Sequence, residues 1–133
     1  MWAFIAWAWA ADWPGWLGPT RDGVSAERGV VSGWKASPPV ELWRRAPGRG
    51  YSGLAVASGV VYTLADEGDG AWLAAMDAPT GVDRFRVRVD EPYMDSMKYH
   101  GQRSTPTVVD GKVVALTGRG VLFARSAADG APL

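Results

Sequence analysis

An all-β fold built from tandem four-stranded antiparallel units is predicted for this chain of 133 residues by three observations. The first is self-similarity. The stretch Ser52-Gly53-Leu54-Ala55-Val56-Ala57-Ser58-Gly59-Val60-Val61-Tyr62-Thr63-Leu64 returns as Ser104-Thr105-Pro106-Thr107-Val108-Val109-Asp110-Gly111-Lys112-Val113-Val114-Ala115-Leu116, with Ser52 and Ser104, Gly59 and Gly111, and Leu64 and Leu116 each 52 positions apart. The second is a landmark after each copy, Asp77-Ala78-Pro79-Thr80-Gly81 and Ser126-Ala127-Ala128-Asp129-Gly130, whose glycines lie 49 positions apart. The difference falls in the acidic stretch Asp66-Glu67-Gly68-Asp69-Gly70, where a loop tolerates an insertion. The third is composition: 17 Gly and 9 Pro supply turns, and a 47% hydrophobic content is too apolar for disorder. Short strands repeating at roughly 40 to 50 residues are the pattern of β-propeller blades, and about two such blades are expected here.

The elements follow in order. Residues 1–11 carry no charge and read Ala-Trp-Ala twice. The segment is about half the ~20 residues needed to span a bilayer. It is read as a truncated signal peptide, cleaved near Ala10 or Ala11, although it lacks a basic leading region. Residues 12–39, rich in Trp, Gly and Pro, form an expected extended lead-in. Blade 1 is placed at residues 40–89: residues 40–44 alternate as a strand should, and the four strands of one blade follow between Gly53 and Val89, at 54–57 and 60–65 joined at Ser58-Gly59, at 72–76 and at 82–89. The last sets Phe85, Val87 and Val89 on one face and Arg84, Arg86 and Arg88 on the other. Residues 90–106 are an inter-blade loop. Blade 2, residues 107–133, has strands at 107–109, 113–117 and 121–125, with Asp110-Gly111 as a type I′ turn. Gly59, Gly81, Gly111 and Gly130 are the turn glycines. The second copy has no fourth strand, so the chain is expected to be the front end of a longer propeller whose remaining blades close it.

Charge excludes whole classes of partner. There are 14 basic and 14 acidic residues and no block of either sign, so neither nucleic acid nor an anionic membrane is called for. The absence of Cys removes disulfides, thiolate metal sites and Cys nucleophiles together. A single His, His100, excludes a multi-histidine metal site.

An apolar strand, a Ser-Gly or Asp-Gly turn, a second apolar strand and then Asp77-Ala78-Pro79-Thr80-Gly81 with a following aromatic resembles the repeat of the quinoprotein-like propellers, the pyrroloquinoline quinone (PQQ) repeat proteins. The lead-in Trp13-Pro14-Gly15-Trp16-Leu17-Gly18-Pro19-Thr20-Arg21-Asp22-Gly23-Val24-Ser25 is similar to the opening of secreted bacterial members, and Gly101-Gln102-Arg103-Ser104-Thr105-Pro106-Thr107 to their second-blade entry. The resemblance implies a docking aromatic that closes each repeat against its neighbour. Trp43 matches that position and Phe85 departs from the usual Trp. Ser126 stands where the family has Asp. It also implies a periplasmic or extracellular location.

Motifs with catalytic or nucleotide-binding associations carry little here. Gly48-Arg49-Gly50-Tyr51-Ser52-Gly53 spells G-x-G-x-x-G but precedes a strand, where a dinucleotide site needs a helix. Ser32-Gly33-Trp34-Lys35 spells S-x-x-K without its partner motifs. Asp66, Glu67 and Asp69 are oxygen ligands of the type calcium takes, but an acidic turn explains them as well. The longest polar and aromatic loop, residues 93–103, supplies the contact candidates Tyr99, His100 and Arg103, at the kind of loop that lines a propeller funnel. A solvated loop is the bland alternative. The function expected is a non-catalytic binding or scaffold module of the bacterial envelope, with a protein, peptide or glycan ligand and no cofactor. The alternative is the N-terminal part of a PQQ-dependent alcohol or sugar dehydrogenase with PQQ and calcium on the propeller axis.

Overall fold

The computed structural model describes residues 11–28, 33–36 and 38–133. Among them the chain is all-β, with seven strands and no helix: β1 (Ala55–Ala57), β2 (Val60–Glu67), β3 (Gly70–Asp77), β4 (Asp83–Asp90), β5 (Thr107–Val109), β6 (Lys112–Leu116) and β7 (Leu122–Ser126). They form two antiparallel sheets in sequence order, one of β1 to β4 and one of β5 to β7. The signal-peptide expectation for residues 1–11 falls, Ala11 aside, outside the described residues.

The repeat is repeated in hydrogen bonds. Ser58 and Gly59 turn with φ of 51° and 73°, and Asp110 and Gly111 with 47° and 69°, so both first hairpins use the paired left-handed residues of a type I′ turn. At the landmark, Gly81 N–H donates to Asp77 O and Gly130 N–H to Ser126 O, at 2.7 and 2.9 Å. Ala78 N–H donates to Gly59 O and Ala127 N–H to Gly111 O, at 2.9 and 2.8 Å. The unusual Ser126 has a physical account. In the first turn the Asp77 carboxylate accepts from the Thr80 hydroxyl at 2.8 Å. In the second the types are exchanged, Ser126 for Asp77 and Asp129 for Thr80, and the Asp129 carboxylate accepts from Ala131 N–H at 3.1 Å. The hydroxyl of Thr80, then Arg84, hold Asp77 below the usual carboxylate range; Ala131 N–H, then Ser126, do the same for Asp129.

Two expectations are corrected. Residues 40–44 form no strand, while the four-stranded sheet spans Ala55 to Asp90, over the stretch where four strands are expected. Alternation alone does not make a strand without a partner for its backbone groups, and Val40 and Leu42 remain 84% and 77% exposed. The stretch is anchored by side chains instead: Trp43 Nε1–H donates to Ala78 O at 2.8 Å, and Arg45 pairs with Asp83 at 3.0 Å. Nor is the lead-in simply extended. Turns occupy residues 15–22, and before them Trp13 N–H and C=O pair with Val56 C=O and N–H at 2.8 and 2.9 Å while Pro14 O accepts from Val108 N–H at 2.7 Å. The lead-in thus bridges the first strands of both sheets.

The core lies between the sheets, where Tyr62, Leu64, Leu73 and Ala75 meet Val113 and Ala115, with Phe85, Val87 and Val89 packed against them. The alternation read for residues 82–89 therefore places its apolar face correctly. β2 is buried from Val60 to Asp66, which is why its sequence runs apolar instead of alternating. Trp43 lies on Gly81 and Phe85 on Gly130: a Cβ added at either glycine would sit 2.6 Å from Trp43 or 2.8 Å from Phe85. Phe85 is in the first sheet and Gly130 follows the last strand of the second, so this aromatic docks one repeat on the next.

Phe85 has no N–H to match the indole bond of Trp43. The missing donor comes from elsewhere, because the Tyr62 hydroxyl donates to Ala127 O at 3.0 Å, the second-copy counterpart of Ala78. Tyr62→Phe is expected to cost about 1–2 kcal/mol by leaving that carbonyl unmet. Phe85→Trp in the same background should recover part of the loss, as read by urea denaturation. A neutral Tyr62→Phe contradicts the exchange. Burial, opposed by Arg84, raises the Tyr62 phenol above 10.0. The folded state thus favours the neutral form, so this contribution is complete below pH ~10 and declines as pH rises towards the higher folded value. The decline should be absent in Tyr62→Phe.

Candidate binding face

A meander places the turns at 58–59, 77–82, 110–111 and 126–131 at one end of the sheets. At the other lie the β2–β3 turn, the β6–β7 turn, the entry 48–54 and the link 91–106. The second end is held by one buried polar node. Asp66, 5% exposed, accepts from Tyr93 N–H at 2.7 Å and from Gln102 Nε2–H at 2.8 Å. Gln102 is fully buried, and its Oε1 accepts from Gly118 N–H at 2.8 Å. Two side chains thereby tie β2, the link and the second sheet together, with their buried polar atoms satisfied.

Over this node the entry and the link run side by side. Gly50 bridges Gln102 in parallel, Tyr51 N–H donates to Gln102 O at 2.7 Å, and Ser52 Oγ–H donates to Ser104 O at 2.7 Å. The Gly50–Gln102 and Ser52–Ser104 pairs sit 52 positions apart, so equivalent positions of the two repeats are neighbours in space. Tyr51 is the counterpart of Arg103, and the two meet: the guanidinium lies 5.0 Å from the Tyr51 ring centroid and 6.0 Å from that of Tyr93. Tyr99 meets Tyr51 edge-on at 6.4 Å and 86°. Such contacts suit aromatic and cationic groups, each contributing about 0.5–1.5 kcal/mol.

The link is stiffened from within by Asp95. Its Oδ1 accepts from Met97 N–H and Tyr99 N–H, both at 2.9 Å, and its Oδ2 takes Arg103 Nη2–H at 2.7 Å. Lys98 adopts φ of 69° in the resulting turn. The ion pair is half exposed and adds little stability of its own. Its effect is to fix where Arg103 points. Tyr51 and Tyr99 remain 61% and 51% exposed, so the cluster presents ordered rings to solvent.

Of the three candidates, Tyr99 and Arg103 come together and His100 does not. His100 lines a separate cleft of about 350 Å³ with Arg49, Asp66, Glu67 and Pro92. Adjacent residues of an extended ribbon face opposite ways, which separates His100 from Tyr99. Tyr51, Tyr93, Asp95 and Gln102 escaped selection from sequence, although the repeat offset already paired Tyr51 with Arg103. The acidic stretch gathers no cation site. Asp66 turns inward, Glu67 pairs with Arg86 at 2.6 Å, and Asp69 faces Arg88 at 3.9 Å. No group of three or more metal-ligating residues forms among the described residues, and no helix there is long and apolar enough to cross a membrane. No protein-family model matches the chain, and no curated protein matches it.

Proposed function

We propose that the chain supplies two successive blades of a quinoprotein-like β-propeller, a non-catalytic binding or scaffold module of the bacterial periplasm or cell exterior. Its ligand is a protein, peptide or glycan, docked on the end that carries Tyr51, Tyr99 and Arg103. The observation that carries this reading is the stacking of Tyr51 on Arg103, counterparts in successive repeats, on an exposed surface. Repetition of that position around a propeller lines its face with contact residues. Exposed Tyr and Arg on a preordered backbone are the groups that dominate binding energy at interfaces, because little freedom is lost when they are covered.

Selection of a displayed random-peptide library and of a glycan array on the full chain tests the reading. Ligands of micromolar affinity are expected, and Tyr51→Ala or Arg103→Ala should weaken them about tenfold or more. Absence of any enriched ligand that either substitution weakens, or no enrichment from either library, overturns the placement of the site. Quenching of Trp fluorescence by micromolar PQQ with calcium overturns the non-catalytic assignment.

A further inference from the structure

A second surface lies where the lead-in crosses β1 and β5 and reaches the ends of the entry and the link. Trp16 is 71% exposed and stands in the walls of two clefts of about 350 and 310 Å³. Both are at the lower end of the ~300–1,000 Å³ usual for small-molecule sites. The first is completed by Arg21 and Thr107–Val109, the second by Gly53, Leu54 and Thr105. Arg21 is the only charged residue lining either cleft, and among the described residues it makes no ion pair. Its neighbour Asp22 is occupied, accepting from the Thr20 hydroxyl at 2.7 Å and Val24 N–H at 2.9 Å.

The turn that presents these groups is built rigidly. Gly18 lies against the Trp13 ring, where a Cβ would sit 2.7 Å from it, and Gly23 N–H donates to Leu17 O at 3.0 Å. Leu17 and Arg21 take φ of 64° and 57°, a conformation that costs a side-chain-bearing residue roughly 1–2 kcal/mol. A peptide binding here by strand addition would need free backbone groups on β1 or β5. Val56 N–H and C=O are taken by Trp13, and Val108 N–H by Pro14. The lead-in thus occupies these edge groups, which favours a ligand held by side chains over an added strand.

We propose that the paired clefts form a binding site for an acidic saccharide. The carbon-bound hydrogens of a sugar ring stack on the Trp16 indole, its carboxylate pairs with the Arg21 guanidinium, and its hydroxyls bond the Thr105 and Thr107 side chains. Arg supplies the planar fork that a carboxylate matches.

Calorimetric titration of the full chain with tetragalacturonate, against neutral cellotetraose and a proline decapeptide, tests the proposal. Tetragalacturonate is expected to bind with Kd below about 1 mM and at least about tenfold tighter than the other two. Trp16→Ala should abolish binding. Arg21→Gln should erase the preference for the acidic sugar while leaving the circular dichroism spectrum unchanged. Trp34→Ala, at an exposed Trp outside both clefts, should change nothing. The proposal is overturned by absence of tetragalacturonate binding, by binding that survives Trp16→Ala, by a preference that survives Arg21→Gln, or by tighter binding of the decapeptide.

Discussion

Gln102→Leu is expected to destabilise the full chain by about 3 kcal/mol, because it leaves two partners unmet at once, the buried Asp66 carboxylate and the half-buried Gly118 N–H. The Asp66 carboxylate loses its side-chain donor and Gly118 N–H loses its acceptor, while Tyr93 N–H alone remains on Asp66. A buried charge deprived of a partner costs more than a neutral group in the same position. Leu resembles Gln in size, so the loss measures the hydrogen bonds more than a cavity. Urea denaturation should show a lower midpoint, with Asp66→Asn less severe because an acceptor remains for Tyr93 N–H. A loss below about 1 kcal/mol means that water or a rearranged backbone satisfies these groups, and the node does not join the sheets.

Gly101→Ala is expected to be comparably damaging and to act on binding as well. Gly101 has φ of 100°, and a Cβ there would collide with Arg49 O and Gly50 Cα. Both obstacles are backbone, so relief requires the entry and link to separate. The positive φ adds roughly 1 kcal/mol or more for any residue with a side chain. The strands forced apart are those that align Tyr51 with Arg103, so a folded remnant should also bind selected ligands about tenfold more weakly. Retention of both stability and affinity excludes close pairing of the two segments.

Much of the fold was legible because its signals are local. Ser58-Gly59 and Asp110-Gly111 specify their turns through left-handed residues, and the alternation around Phe85, Val87 and Val89 specifies a buried face. Residues 40–44 misled for the opposite reason, since strand formation depends on a neighbour that alternation does not encode. The acidic stretch misled likewise. Asp66 is in sequence a surface carboxylate of an acidic turn, and only Gln102, 36 positions away, makes it a buried acceptor. The binding cluster was half legible: the loop rich in Tyr drew attention to Tyr99 and Arg103, whereas Tyr51 looked like part of a glycine-rich connection. Its relation to Arg103 was present in the repeat offset, but an offset becomes a contact only when successive repeats lie side by side. The departures at Phe85 and Ser126 are compensated by Tyr62 and Asp129, groups that a search confined to one position overlooks.

The most direct measurement is amide hydrogen exchange of the full chain with and without its tightest selected ligand. Protection concentrated in residues 48–54 and 91–103 is the predicted result. Protection at the opposite turns, residues 58–59, 77–82 and 110–111, with none at the loop end would contradict the assignment of the binding face.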